Sequence, residues 1–182
     1  MANHLLLPPF ILPAEGGYVN NPNDKGGMTN KGITWTVWVS VFGDTHDRFM
    51  AMSSDDWSVI FKKLYWDKAL ADDIDSQRIA NLIVDWLWGS GQYYPEKDTQ
   101  EIVNTVLHGH IATDGVFGPA TIAAINSANE EELYNDLIAR RKDFIDNIVK
   151  TNPSQEEFHQ GWINRLNKLV EYNLKFAPQS LN

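Results

Sequence analysis

Glu15 stands where an apolar, helix-like segment runs into Gly16 and Gly17, and a second carboxylate, Asp24, follows nine residues later. A carboxyl group at such a junction can pack against apolar neighbours on one side and open to a cleft on the other. Half-burial of that kind disfavours ionisation and can keep a Glu protonated as a general acid. Glycoside hydrolysis needs that acid to protonate the leaving oxygen. It also needs a second group that stabilises the cationic centre, attacks it or activates water. Glu15 and Asp24 fit those two roles by type, and the hydroxyls of Thr29 and Thr34 could hold water or sugar hydroxyls. By type alone the pair equally describes a helix-end Glu and a turn Asp.

The remaining candidates are aromatic or small polar residues beside glycine-rich turns: Tyr18, Trp88, Ser90, Gln92, Tyr93 and Tyr94. Trp57, Trp86 and Trp162 sit on helical stripes and are expected in the core. His108 and His110 are two apart, share no helix face and have no accompanying carboxylate pattern, so no metal site is expected there. Asn21, Asn23, Asp24 and Gly26 partly resemble a calcium loop, but Gly32 occupies the position of its closing Glu. No metal or other cofactor is implied. Arg140-Arg141-Lys142 reads as a solvated helix face or a source of internal ion-pair partners.

The elements that must position these residues are helical after residue 33. Thr34 caps a short helix through Trp35, Trp38, Val39 and Phe42, closed by Gly43. Ser53 to Asp56 start another, with Trp57, Ile60, Phe61, Leu64 and Tyr65 at helical spacing. Ser76 opens a third, burying Ile79, Leu82, Ile83, Trp86 and Leu87 and stopping near Gly89. Pro95 suits the first turn of a fourth, which carries Ile102, Val103, Val106 and Leu107 and ends by Gly109. Thr113 to Pro119 is turn chemistry leading into a short helix through Ile125. Asn129 caps a long helix with Glu130, Glu131 and Glu132 in its first turn and an apolar face of Leu133, Leu137, Ile138, Phe144, Ile145 and Ile148. Ser154 and Glu157 have capping-box spacing before a last helix whose face includes Phe158, Trp162, Leu166, Leu169 and Val170. Gly16 to Gly32 is too rich in turn formers for helix and holds at most a short hairpin. Pro13, two residues before Glu15, implies a kinked or short turn that re-aims the acid.

The run Glu15-Gly16-Gly17-Tyr18 followed by Asn20-x-Pro22-x-Asp24-x-Gly26-Gly27-x-Thr29-x-x-Gly32-Ile33-Thr34 resembles the signature of glycoside hydrolase family 108, the N-acetylmuramidase group. Its Glu-to-Asp spacing and following Thr are also similar to phage-type lysozymes. Further resemblances follow in order: Leu64 to Asp67, Val84 to Gly91, Asp114 to Thr121 and Gly161 to Arg165, the last two being similar to an associated peptidoglycan-binding-like half. The resemblance spans about residues 10 to 172. It implies a mostly α, lysozyme-like fold with an irregular loop or short hairpin after the acid. It also implies a catalytic half over 1–93 and a helical peptidoglycan-binding-like half over 94–182, packed as one unit. By the same resemblance Glu15 is the catalytic acid of a glycosidase that cuts peptidoglycan glycan strands, and a lytic transglycosylase or a non-catalytic wall-binding or secretion-assisting protein stays open as an alternative. The chain departs from the family at Gly89, where an Asn is common, and Gln92 could supply that amide.

Composition bounds the partners. The 182 residues carry a formal net charge of −9, with 43% hydrophobic and 21% charged residues. That is the mix of an ordinary globular chain. It lacks the Lys and Arg clusters that polyphosphate binding requires, so nucleic acid is not an expected partner. With no cysteine, disulfides, thiolate metal sites and a cysteine nucleophile are excluded together. The apolar N-terminus lacks a basic region and is broken by Pro8, Pro9 and Pro13, so it is expected to fold with the domain rather than act as a signal peptide. No stretch approaches the roughly 20 apolar residues of a membrane helix. The expected place of action is the bacterial cell wall.

Overall fold

The computed structural model describes residues 1–20 and 27–178. Asp24 and the rest of the Asn21–Gly26 segment lie outside the described residues, as do the last four residues of the polar tail.

The chain enters through a single short turn of helix, α1 (Pro8–Ile11), which Leu12–Ala14 continue as a 3-10 turn. Pro13 is tolerated because it stands in the first turn of that tighter segment, where no backbone donor is needed. Glu15 closes the turn in an extended conformation (φ −82°, ψ 138°). The expected short, re-aimed turn before the acid is what the structure contains.

The loop after Glu15 is richer than a hairpin. Three short strands, β1 (Val19–Asn20), β2 (Met28–Asn30) and β3 (Ile33–Thr34), form an antiparallel meander in which Thr29 pairs with both Val19 and Thr34. The added third strand follows from the two-residue turn Lys31-Gly32, in which both φ values are positive (47° and 76°). That is the turn geometry whose twist matches paired strands. The turn is also held from outside: the Asn30 amide donates to the Phe49 carbonyl, Lys31 Nζ donates to the Met52 carbonyl, and Trp57 Nε1 donates to the Lys31 carbonyl.

Thr34 then caps α2 (Trp35–Phe42) by accepting from the Val37 amide, and Gly43 closes it. A short α3 (His46–Met50) leads to α4 (Ser54–Phe61), whose N-terminus has a reciprocal capping box between Ser53 and Asp56. The apolar stripe does continue to Tyr65, but over Lys62–Trp66 the helix widens into a π turn. One extra residue per turn rotates Leu64 and Tyr65 off the α-helical stripe, a device often found beside functional sites.

The central helix is α5 (Gln77–Ser90), capped by Ser76 and buried at every residue from Arg78 to Leu87. Around it pack α6 (Tyr93–Leu107), α8 (Glu130–Thr151) and α9 (Glu156–Asn173), while α7 (Pro119–Ser127) packs on α6. Asn129 caps α8 as its position implies. Asp114 and Gly115 are tied to α6 through Gln100, which donates to the Asp114 carboxylate and accepts from the Gly115 amide. A single apolar cluster runs from Leu7 through α5 to Leu169, so the two halves share one core. Among the described residues no helix is long and apolar enough to cross a membrane.

Two local expectations are corrected. The Ser154–Glu157 capping box does not form: Pro153 starts a 3-10 turn over Pro153–Gln155, α9 begins at Glu156, and the Ser154 hydroxyl bonds the Asn152 side chain instead. Phe158, placed on the buried face of α9 by periodicity, is 48% exposed and lies with its ring beside Trp162, one turn on.

One buried acid sits apart from the ion pairs. Glu96, in the first turn of α6, is 5% exposed, and burial pushes its carboxyl up to about 7, with Lys68 pulling it down and Asp114 pushing it up. The folded chain therefore keeps a proton that the unfolded chain releases near 4.5, so stability falls as pH rises from about 4.5 through 7. Glu96→Gln should stabilise the protein by about 2 kcal/mol at pH 8 and by little at pH 4.5. Urea unfolding at the two pH values measures this.

Candidate active site

Glu15 is held on three sides by elements that meet nowhere in sequence. From α5, Trp88 Nε1 donates to Glu15 Oε1 at 2.8 Å. From α9, Arg165 Nη1 lies 3.8 Å from the same oxygen. From the β2–β3 turn, Gly32 packs against Oε2, and a Cβ at Gly32 would collide with that oxygen and with the Trp88 ring. Only glycine satisfies both that contact and the positive φ. The Glu15 side chain is 16% exposed.

Arg165 is in turn fixed by a buried carboxylate. Its Nη2 donates to Asp85 Oδ1 at 2.7 Å, while Arg141 Nη2 donates to Asp85 Oδ2 at 2.7 Å. Burial alone would raise the fully enclosed Asp85 carboxyl, but the two guanidiniums reverse that and hold it below the usual carboxylate range. For Arg165, burial works against the charge, and Asp85 followed by Glu15 more than restores it. Glu15, Arg165, Asp85 and Arg141 thus form a chain of alternating charge from the cavity wall into the core.

The cavity beside Glu15 has a volume of about 390 Å³. Its lining includes Trp86, Trp88, Ser90, Phe144, Ile148, Trp162 and Arg165, of which Trp88 and Arg165 approach the acid itself. Tyr65, on the π turn, holds its ring centroid 4.7 Å from that of Trp88, tilted by 56°. Burial and then the charge of Glu15 raise its hydroxyl above the ordinary value. On the other side of Arg165 a wider groove of about 850 Å³ runs between α1 and α9, lined by Phe10, Pro13, Ala14, Asn164 and Tyr172.

Of the residues singled out by sequence, Glu15, Trp88 and Ser90 line one cavity. Thr29 and Thr34 face each other on the sheet next to Gly32, with the Thr34 hydroxyl engaged in capping α2. Tyr18 is half-buried with its ring edge against Phe49. Gln92 directs its amide to the Leu64 carbonyl at 3.4 Å, and Tyr93 packs over Gly115 and beside Tyr94; neither lines the cavity. Trp162, expected in the core, is half-buried and lines the cavity. Arg141 is an internal ion-pair partner, one of the two roles open to it from sequence, and Arg140 pairs with Asp98 and Glu101 on the surface. Among the described residues no group of three or more His, Asp or Glu could hold a metal.

Sequence reasoning assigned no role to Asp85 or Arg165, although both lie inside quoted motifs. A signal was present: Ala80, Val84 and Trp88 make the helix apolar beyond the Ile79–Leu87 stripe, a helix apolar nearly all round is buried, and a buried carboxylate requires cationic partners.

A mostly helical fold with a carboxylate between a small sheet and a buried central helix defines a lysozyme-like protein. Residues 9–91 match the family described as Glycosyl hydrolase 108, and residues 94–167 match that described as Predicted Peptidoglycan domain. The first half of the chain thus resembles glycosyl hydrolase family 108, and the second half a peptidoglycan domain. Among solved structures it is similar to SagA of Brucella abortus, at 26% identity, a TM-score of 0.77 and coverage of 98% of each chain. No curated protein matches the sequence. Together the two domains support a glycosidase that acts on peptidoglycan.

Removing one member of the buried charge chain should be costly, because the partners lose their compensation. Asp85→Asn is expected to destabilise the fold by at least about 3 kcal/mol in denaturant titration. A change under about 1 kcal/mol would show that the cluster does not hold the halves together.

Proposed function

We propose that the protein is an N-acetylmuramidase, a lysozyme that hydrolyses the bond after N-acetylmuramic acid, with Glu15 as general acid. The observation that carries this reading is the fixation of Glu15 at the edge of a cavity large enough for part of a sugar ring. Oε1 receives the Trp88 N–H and faces Arg165, so Oε2 is the oxygen assigned the transferable proton. The proton passes to the glycosidic oxygen as the C–O bond breaks. The Trp88 donor and the Arg165 charge then stabilise the carboxylate left behind, in place before the reaction begins. Water, activated by Asp24 or by the returning Glu15 carboxylate, adds to the anomeric carbon and regenerates the acid. Asp24 is the expected second group by its type and its place in the motif.

The 1–93 and 94–182 halves act here as one catalytic unit: α9 contributes Arg165, and α8 contributes Arg141 and Phe144. The substrate-facing roles proposed for Tyr18, Thr29, Thr34, Gln92 and Tyr93 require glycan extending beyond the cavity, along the sheet and the start of α6. The site of action is the wall itself, in the periplasm or outside the cell.

Glu15→Gln keeps the shape and the Trp88 contact but removes the proton. On purified Gram-negative sacculi it should lose at least about a hundredfold in turbidity clearance relative to wild type, with an unchanged circular dichroism spectrum. Mass spectrometry of wild-type products should show new reducing ends that have gained water. Anhydro sugars would make it a transglycosylase, and equal clearing by both proteins would remove Glu15 from the chemistry.

A further inference from the structure

Lys31 has a positive φ of 47° and stands beside Gly32, the residue whose backbone meets the acid. A lysine in the left-handed region is strained, and it stays there only where its surroundings impose the conformation. A two-residue turn with positive φ at both positions favours Asn-Gly, so this sequence does not hold the turn unaided. Two hydrogen bonds impose it. Lys31 Nζ donates to the Met52 carbonyl at 2.6 Å, and Trp57 Nε1 donates to the Lys31 carbonyl at 3.0 Å.

Trp57 also reaches the other neighbour of the acid. Its ring is fully buried, stacks on Phe61 at 5.0 Å and lies 5.1 Å from the ring of Trp88, whose Nε1 donates to Glu15 Oε1. Gly32 backs Oε2 and lies against that same Trp88 ring. One indole therefore braces both sides of the carboxylate, Trp88 by ring contact and Gly32 through the Lys31 carbonyl. Its own place is fixed by the start of α4, where Ser53 and Asp56 cap each other just before it. With no exposed surface, Trp57 acts only through these neighbours. We propose that Trp57 is a positioning residue for Glu15, holding the strained Lys31-Gly32 turn against the carboxylate. Its effect on turnover rests on the glycan-cleaving reading, whereas its effect on the surroundings of Glu15 does not.

The test pairs Trp57→Phe, which keeps a ring beside Trp88 but loses the N–H, with the double variant Trp57→Phe/Lys31→Asn. The second change gives the turn the Asn-Gly sequence that holds this shape by itself. Amide hydrogen exchange over residues 30–34 should quicken at least about tenfold in Trp57→Phe and return towards the wild-type rate in the double variant. The Trp88 indole resonance in ¹⁵N-labelled protein should move and return with it, whereas a shift due only to the smaller ring would persist. On soluble glycan strands, kcat for release of reducing ends should fall about tenfold with KM within about twofold, and the second change should recover most of it. In wild type alone, the Trp57 indole proton and the turn amides should show the same protection, because one opening releases both. Unequal protection in wild type, unchanged exchange in a folded Trp57→Phe, or a double variant that recovers none of the readings would each overturn the positioning role. So would quickened exchange with an unmoved Trp88 resonance and full kcat. Wild type that releases no reducing ends would sink the glycosidase instead, and exchange with the Trp88 resonance would still decide the role of Trp57.

Discussion

The ion cluster of Asp85, Arg141 and Arg165 is the interaction on which the rest of this structure depends. A carboxylate with no exposed surface in the middle of a helix is tolerable only with cations at hydrogen-bond distance. Here the two cations come from α8 and α9. The cost of burying Asp85 is thereby converted into a constraint on where the second half must sit. Apolar packing of α5 against α8 and α9 supplies most of the driving force, but it is non-directional and tolerates sliding. The charge cluster fixes register, because a shift of a few ångström would leave three charges unmatched in the core.

That register matters because Arg165 serves two carboxylates at once. Its Nη2 is committed to Asp85, which leaves Nη1 to face Glu15. On the opposite side, the Lys31-Gly32 turn is pinned by Asn30, Lys31 and Trp57 and presses a bare backbone against the acid. Trp88 completes the enclosure from the last turn of α5. Each contact is made by an element whose own position is over-determined, which is how a carboxylate on a short irregular turn comes to have one orientation. A second module that merely bound the wall would have no need to reach the acid. In this molecule it forms part of the acid's surroundings.

What the sequence made legible were the features decided within a few residues. The caps at Thr34, Ser53, Ser76 and Asn129, the stop at Gly43 and the short turn before Glu15 all depend on local side-chain-to-backbone bonds, and all are present. The Ser154 cap failed because Pro153 imposed a competing 3-10 turn, a local conflict that spacing alone does not rank. The third strand was missed because the Lys31-Gly32 turn is stabilised by contacts from α3, α4 and the segment between them. The Glu15 motif stood out through its resemblance to a family, whereas its surroundings did not: Trp88 lies 73 residues away, and Arg165 lies 80 residues beyond Asp85. Periodicity placed Trp86 and Trp162 on inward faces but could not show that both line a cavity beside Glu15.

The most direct test of a site assembled across both halves is the sacculus-clearing rate of Arg165→Met, recorded with circular dichroism and melting temperature on the same samples. If Arg165 sets the position and surroundings of Glu15, the folded variant should lose about a hundredfold or more in rate, the scale expected for a misplaced catalytic group. A folded Arg165→Met that clears sacculi as fast as wild type would contradict the account. In that case the second half would be a passive support for a site contained wholly in the first.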